Sequence, residues 1–186
     1  LLGKDQFDGN PYSLGTAGAF ATMRARELFA ECDLLIGVGA GLGYYTTEGG
    51  YLYPNAEVIQ IDVNPRGLYQ GARVADLHIK SDAKAAVQAI IGELDRTGHR
   101  KTGQRSNALA EELTALQSNP DPKQFPDRPN VVDPRKAIEE LNDIIPKDWE
   151  IVTGSAHFFS IALTHLKGRD CRRYHVINDF GAIGSG

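Results

Sequence analysis

Four glycines at alternate positions, Gly37, Gly39, Gly41 and Gly43, form the stretch best suited to close approach by a phosphate, because no Cβ holds a ligand away from the backbone N–H groups. The apolar run Leu34 to Val38 leads straight into them, and a second run, Glu57 to Asp62, ends on a carboxylate. A carboxylate beside such a turn can accept hydrogen bonds from ribose hydroxyls. Gly39, Gly41 and Asp62 are therefore candidate nucleotide-binding residues. The dinucleotide fingerprint G-x-G-x-x-G is incomplete, since Leu42, Tyr44 and Thr46 stand where its last glycine would fall from the three possible starts. The same residues are equally consistent with a tight strand-to-loop turn that binds nothing.

Of the five histidines, at 78, 99, 157, 165 and 175, only His157 follows a strand-like end, Thr153-Gly154-Ser155, where loops of α/β sheets carry function. Ser155 is its near neighbour, but the G-x-S-x-G elbow of hydrolases is absent, and residues two apart at a strand-to-helix turn seldom face each other. The other four histidines read as structural or surface residues. Cys32 and Cys171 are far apart with no partner at metal-ligand spacing, and Cys32 continues an apolar stripe, so it reads as a buried free thiol suited to a reducing cytoplasm.

These residues need elements to hold them. Ala17, Ala21, Ala25, Leu28, Phe29 and Cys32 recur at helical spacing from Thr16 onward. Leu34 to Val38 reads as a strand buried on both faces, Glu57 to Asp62 as a second strand and Leu77 to Lys80 as a short third. Asp82 opens a helix with Ala86, Val87, Ile90, Ile91 and Leu94 on its buried face. Alternating strands and helices predict a Rossmann-like parallel sheet with helices on both faces, because parallel strands need crossover helices. Residues 101–130, proline-rich toward the end and with one helical stripe of Leu109, Leu113 and Leu116, read as an interdomain linker. Asp133-Pro134 then starts a helix carrying Ala137, Ile138, Leu141, Ile144 and Ile145. A strand, a helix and a further strand follow, the opening of an incomplete second α/β domain.

The chain has 186 residues, 41 % of them hydrophobic and 24 % charged, with a formal net charge of −4. The mixed charges offer no footprint for nucleic acid or anionic lipid, and no apolar run is long enough to span a bilayer. The missing initiator Met and the ending on Gly184-Ser185-Gly186 read as cut ends.

Six segments in collinear order carry a resemblance. Gly3-Lys4-Asp5-Gln6-Phe7 with Asn10-Pro11-Tyr12-Ser13-Leu14-Gly15 is similar to the G-K-x-x-F and H-P-L-S-L-G of acetolactate synthase-like thiamine diphosphate enzymes. Cys32-Asp33-Leu34-Leu35-Ile36-Gly37-Val38-Gly39-Ala40 resembles their A-D-L stretch ending in V-G-A, Ile59-Gln60-Ile61-Asp62-Val63-Asn64-Pro65 their I-x-I-D-x-D/N-P, and Ser81-Asp82-Ala83-Lys84 their G-D-A-K. Glu150-Ile151-Val152-Thr153 and Phe180-Gly181-Ala182-Ile183-Gly184 resemble parts of the diphosphate-binding domain. Residues 154–158 stand at its D-x-G-x-H, with Gly154 in place of the acid and Ala156 in place of the glycine, and His157 is assigned to the cofactor side of that loop.

The resemblance implies a central domain over residues 1–100, a linker over 101–130 and the N-terminal part of a diphosphate-binding domain over 131–186. It implies a parent enzyme, a homodimer or homotetramer, that uses thiamine diphosphate and Mg²⁺ to decarboxylate a 2-keto acid and pass the resulting carbanion to an acceptor or a proton. By the same resemblance the Gly181 carbonyl accepts from the aminopyrimidine and Ile183 wedges the cofactor into its bent form. The activating glutamate and the G-D-G and N-N metal motif have no counterpart here, so the chain alone is expected to be inactive. Gly41 stands where flavin-containing relatives carry Arg, which favours an ADP-like ligand over FAD in the crevice. Two other readings remain: a stand-alone module binding ADP, FAD or NAD, and a subunit-packing domain with an empty crevice.

Overall fold

A strand with no charge along its length can sit inside a parallel sheet, and Leu34 to Val38 pairs directly with the other long apolar run. The computed structural model describes residues 3–69, 72–101, 103–118 and 128–177. In chain order the elements are α1 (Met23–Glu31), β1 (Leu34–Val38), α2 (Tyr44–Thr47), β2 (Glu57–Asp62), β3 (Leu68–Tyr69), β4 (Ala72–Arg73), β5 (Leu77–Lys80), α3 (Ala83–Thr97), α4 (Asn107–Ser118), α5 (Pro134–Ile144), β6 (Ile151–Thr153), α6 (His157–His165) and β7 (Tyr174–Val176). Strands β1, β2 and β5 form a parallel sheet in that order, with Val38 opposite Ile61 and Ile61 opposite Ile79. This is the Rossmann-like α/β arrangement expected from the sequence. Strands β3 and β4 make a small antiparallel ladder, and β6 and β7 a separate parallel pair.

The chain divides into two compact units, Ala17–Gln104 on the one hand and Leu1–Thr16 with Arg105–Gly186 on the other. Residues 1–16, read in sequence with the central domain, thus group with the C-terminal part. So does α4, from the expected linker: its Leu113 is buried, and Gln117 Nε2 donates to the Asn10 carbonyl at 2.8 Å.

In the first unit Leu42, Leu52, Tyr53 and Val58 form the core, with Phe29, Cys32 and Leu35 packed against it. Ile61 is fully buried and contributes about 1.5–3 kcal/mol by leaving water. Three expectations are corrected here. Helix α1 begins only at Met23, because Gly18 adopts a φ of +78° and Thr22 caps the helix by accepting the Ala25 N–H. Strand β1 is buried on one face only: Leu34, Ile36 and Val38 are each more than two-fifths exposed, while Gly37 on the opposite face is buried. Helix α3, capped by Asp82 and closed by Gly98, lies against β2 but buries none of its residues, and Val87, Ile90, Ile91 and Leu94 remain exposed. Its periodicity makes it amphipathic, whereas burial needs a neighbour that covers the whole stripe.

In the second unit Asp133 caps α5 ahead of Pro134, as expected. Within the expected α5 stripe Ile138 is buried, but Leu141 and Ile144 are exposed, a further correction with the same cause. Helix α6 packs on α5 through a face that buries Ala162 and Leu163.

Candidate functional site

At the carboxyl ends of β1 and β2 the Gly39 N–H donates to the Ile61 carbonyl at 2.8 Å, which seats Gly39 next to Asp62. The two residues singled out in sequence are therefore neighbours. Gly39 has a φ of +61° with open space where a Cβ would be, and Gly41 is exposed. Yet the Gly39 N–H is spent on the sheet and is not free for a phosphate. Leu42, at a φ of +49°, turns its side chain back over Gly37, where a Cβ would lie 3.0 Å from it. Asp62 Oδ1 accepts the Asn64 N–H at 2.8 Å, which shapes the loop after β2.

Beneath this crevice lies a residue that sequence reading passed over. Gln60 is 1 % exposed; its Nε2 donates to the Ala40 carbonyl at 3.0 Å, and its Oε1 accepts the Arg66 N–H at 3.2 Å. His78 Nδ1 lies 3.1 Å from the same oxygen, so satisfying all three contacts makes that nitrogen a donor. One amide thus ties the glycine turn, the loop after β2 and β5 together. Its signal in the sequence was a polar residue inside an otherwise apolar strand.

The second candidate site is the loop between β6 and α6. Ala156 has φ 148° and ψ −173°, a region almost reserved for glycine, at the position where the resembling family carries glycine. Helix α6 starts at His157 with no side-chain cap, whereas Thr22, Asp82 and Asp133 cap α1, α3 and α5. An uncapped helix start directs N–H groups and partial positive charge outward, which fits a diphosphate. His157 is exposed at this start. Gly181 and Ile183 lie outside the described residues. Among the described residues no group of three His, Cys, Asp or Glu side chains could hold a metal ion, and no helix is long and apolar enough to cross a membrane.

Within this unit the interior is partly polar. Lys4 is 5 % exposed, and its ammonium contacts the Asp5 carboxylate at 2.7 Å, donates to the Leu166 carbonyl at the end of α6, and sits 5.1 Å from the centre of the Tyr174 ring. Burial pushes the Lys4 pKa below the ordinary lysine value despite Asp5 beside it. Tyr174 and Thr153, both buried, bring their hydroxyls to 3.3 Å, and burial pushes the Tyr174 phenol up. Arg169 binds Asn142 Oδ1 at 2.5 Å and the Ile145 carbonyl at 3.1 Å, capping the end of α5. Besides His78, two of the histidines read as structural or surface residues have carboxylate partners: His165 Nδ1 meets Glu139 at 2.9 Å, and His175 Nε2 meets Glu150 at 3.1 Å.

A parallel α/β sheet whose first strand ends in a glycine turn, followed by a further β-α-β unit, defines the class as that of Rossmann-like α/β proteins. Within that class, residues 1–90 match the sequence model of the thiamine pyrophosphate enzyme central domain family. The chain is similar to 3D-(3,5/4)-trihydroxycyclohexane-1,2-dione hydrolase 2 of Bacillus cereus, 31 % identical over 56 % of this chain and 16 % of the relative. It is 33 % identical to a probable acetolactate synthase large subunit of Methanocaldococcus jannaschii over 50 % of this chain and 16 % of that protein. Sulfoacetaldehyde acetyltransferase of Roseovarius nubinhibens is 25 % identical over 98 % of the chain and 33 % of its own length. The chain thus spans a sixth to a third of the length of these relatives.

Proposed function

We propose that this chain is part of a thiamine diphosphate-dependent, acetolactate synthase-like enzyme that decarboxylates a 2-keto acid and hands the remaining unit to an acceptor or a proton. The observation that carries this reading is the family match over residues 1–90, extended by a likeness to sulfoacetaldehyde acetyltransferase along nearly the whole chain. When bound with Mg²⁺, thiamine diphosphate supplies the acidic thiazolium carbon and the electron sink for decarboxylation. This chain's part is orientation. The uncapped start of α6 and His157 would hold the diphosphate side, and by the resemblance the roles toward the aminopyrimidine would fall to Gly181 and Ile183. The parent works as a cytoplasmic homodimer or homotetramer, and the 186-residue chain alone is inactive because the activating glutamate and the metal motif are not within it.

Purified parent and purified chain, each given thiamine diphosphate, Mg²⁺ and a panel of 2-keto acids, test this by CO₂ release. Turnover by the parent only is the expected result. Turnover by the chain alone, or a parent that binds no thiamine diphosphate, would overturn the reading. The adjacency of Gly39 and Asp62 supports a second role, holding the ADP portion of a nucleotide in the β1–β2 crevice. Calorimetry with ADP, FAD and NAD tests it, and ADP binding unaffected by Asp62→Ala would dismiss it.

A further inference from the structure

We propose that Lys4 is a positioning residue for the β6–α6 loop, acting on the strand before it through Tyr174 and Thr153 and on the helix after it through the C-terminal end of α6. The inference rests on the reading of that loop as the diphosphate side of the cofactor site. Thr153 is the last residue of β6, immediately before the loop, and its hydroxyl is held by Tyr174. The Tyr174 ring carries the Lys4 ammonium against its face, a favourable arrangement for a cation taken out of water. The same ammonium donates to the carbonyl of Leu166, which closes α6. One side chain, 162 positions before Leu166, therefore contacts the tyrosine that holds the last residue of the strand before the loop and also the far, C-terminal end of the helix after it.

The loop needs such an anchor. Ala156 holds a backbone conformation that a residue with a Cβ occupies only when its surroundings enforce it, and as N-cap residue it supplies no side-chain cap to the helix that follows. Lys4 is committed to Asp5, Leu166 and Tyr174 and is nearly inaccessible to solvent, so it serves as a support and touches no substrate. The other cations near it, Lys167 and Arg169, are themselves bound to the Gln117 carbonyl and to Asn142 and Ile145. Neither replaces it at Tyr174.

The test uses the full-length parent with Lys4→Met, which keeps the stem and removes the charge, and Tyr174→Phe, which removes only the hydroxyl that holds Thr153. Amide hydrogen exchange across residues 154–160 should quicken about tenfold in Lys4→Met and less in Tyr174→Phe, with β1, β2 and α3 unchanged. The Kd for thiamine diphosphate, followed by protein fluorescence with Mg²⁺ present, should rise about tenfold, or about 1.4 kcal/mol. At saturating cofactor kcat should return to the wild-type value, whereas general destabilisation would lower the active fraction and leave Kd unchanged. Unaltered exchange across residues 154–160 in a folded Lys4→Met would overturn the proposal. Should Lys4→Met fail to fold, unaltered exchange in Tyr174→Phe would do the same. A wild-type parent that binds no thiamine diphosphate would sink the cofactor reading, and the exchange measurement would still decide whether Lys4 holds the loop.

Discussion

The two units are held together with opposite materials. In Ala17–Gln104 the loop after β1 is fixed by apolar packing, with Leu42 folded over Gly37, and by a single buried amide, Gln60. In the other unit Lys4, Thr153, His165 and Arg169 are all buried, and cations close the ends of two helices. An apolar contact tolerates small shifts, whereas a buried charge is costly unless every partner is in place. The first unit should therefore be sensitive to shape and the second to the loss of single polar groups.

The largest effect tests shape. A Cβ at Gly18 would fall 2.0 Å from the Tyr45 carbonyl oxygen and 2.7 Å from Thr46 Cα, and the residue already has a φ of +78°. Gly18→Val should destabilise Ala17–Gln104 by about 4 kcal/mol or more, read by denaturant unfolding, because backbone on both sides must move. A loss below about 1 kcal/mol would mean that the segment before α1 is not held as described. Polar sensitivity comes next. Arg169→Met keeps much of the apolar stem but frees Asn142 and the Ile145 carbonyl, and should cost about 2–4 kcal/mol in the second unit only. A neutral result would show that the helix ends there find water instead.

Ala156→Gly sharpens the comparison in the other direction. Glycine adopts the observed conformation without strain, so the substitution should stabilise the second unit by about 1 kcal/mol, measured as a shift in urea midpoint. Destabilisation would mean that the alanine methyl packs usefully.

The smallest effect is a divergence with pH. Lys4, Lys147 and Lys167 have pKa values lowered from 10.5 by burial, so above their folded values the unfolded chain holds more protons and their contribution to stability rises with pH. Tyr174, raised by burial, opposes them within the same unit. Cys32 and Tyr53 are also raised by burial, from 9.0 and 10.0, so in the first unit the folded state holds more protons and stability falls as pH rises. Pulse proteolysis at about pH 8 and about pH 9.5 should show Ala17–Gln104 losing stability while the second unit holds or gains. Parallel decline of both would remove the lysines from the account.

Much of this was legible beforehand because it is local. Strands β1, β2 and β5, the start of α3 at Asp82 and the Asp133-Pro134 start of α5 follow from apolar runs and capping residues within a few positions of each other. The juxtaposition of Gly39 and Asp62 was legible too, since parallel strands of similar length bring their carboxyl ends together. The α3 stripe misled, because periodicity reports an amphipathic face and says nothing about whether a neighbour covers it.

By itself, then, the sequence determined the α/β alternation, the glycine turn beside Asp62 and the likeness of residues 1–90 to the thiamine pyrophosphate enzyme central domain, all of which depend on residue type and short spacing. Only the tertiary structure decided that β1 is bare on one face, that Gln60 binds three segments at once, and that Lys4 lies buried against Tyr174 and Leu166. A lysine in a polar segment looks solvated wherever it stands, and its burial is set by groups as far as 162 positions along the chain, whose approach leaves no mark on the residues around it.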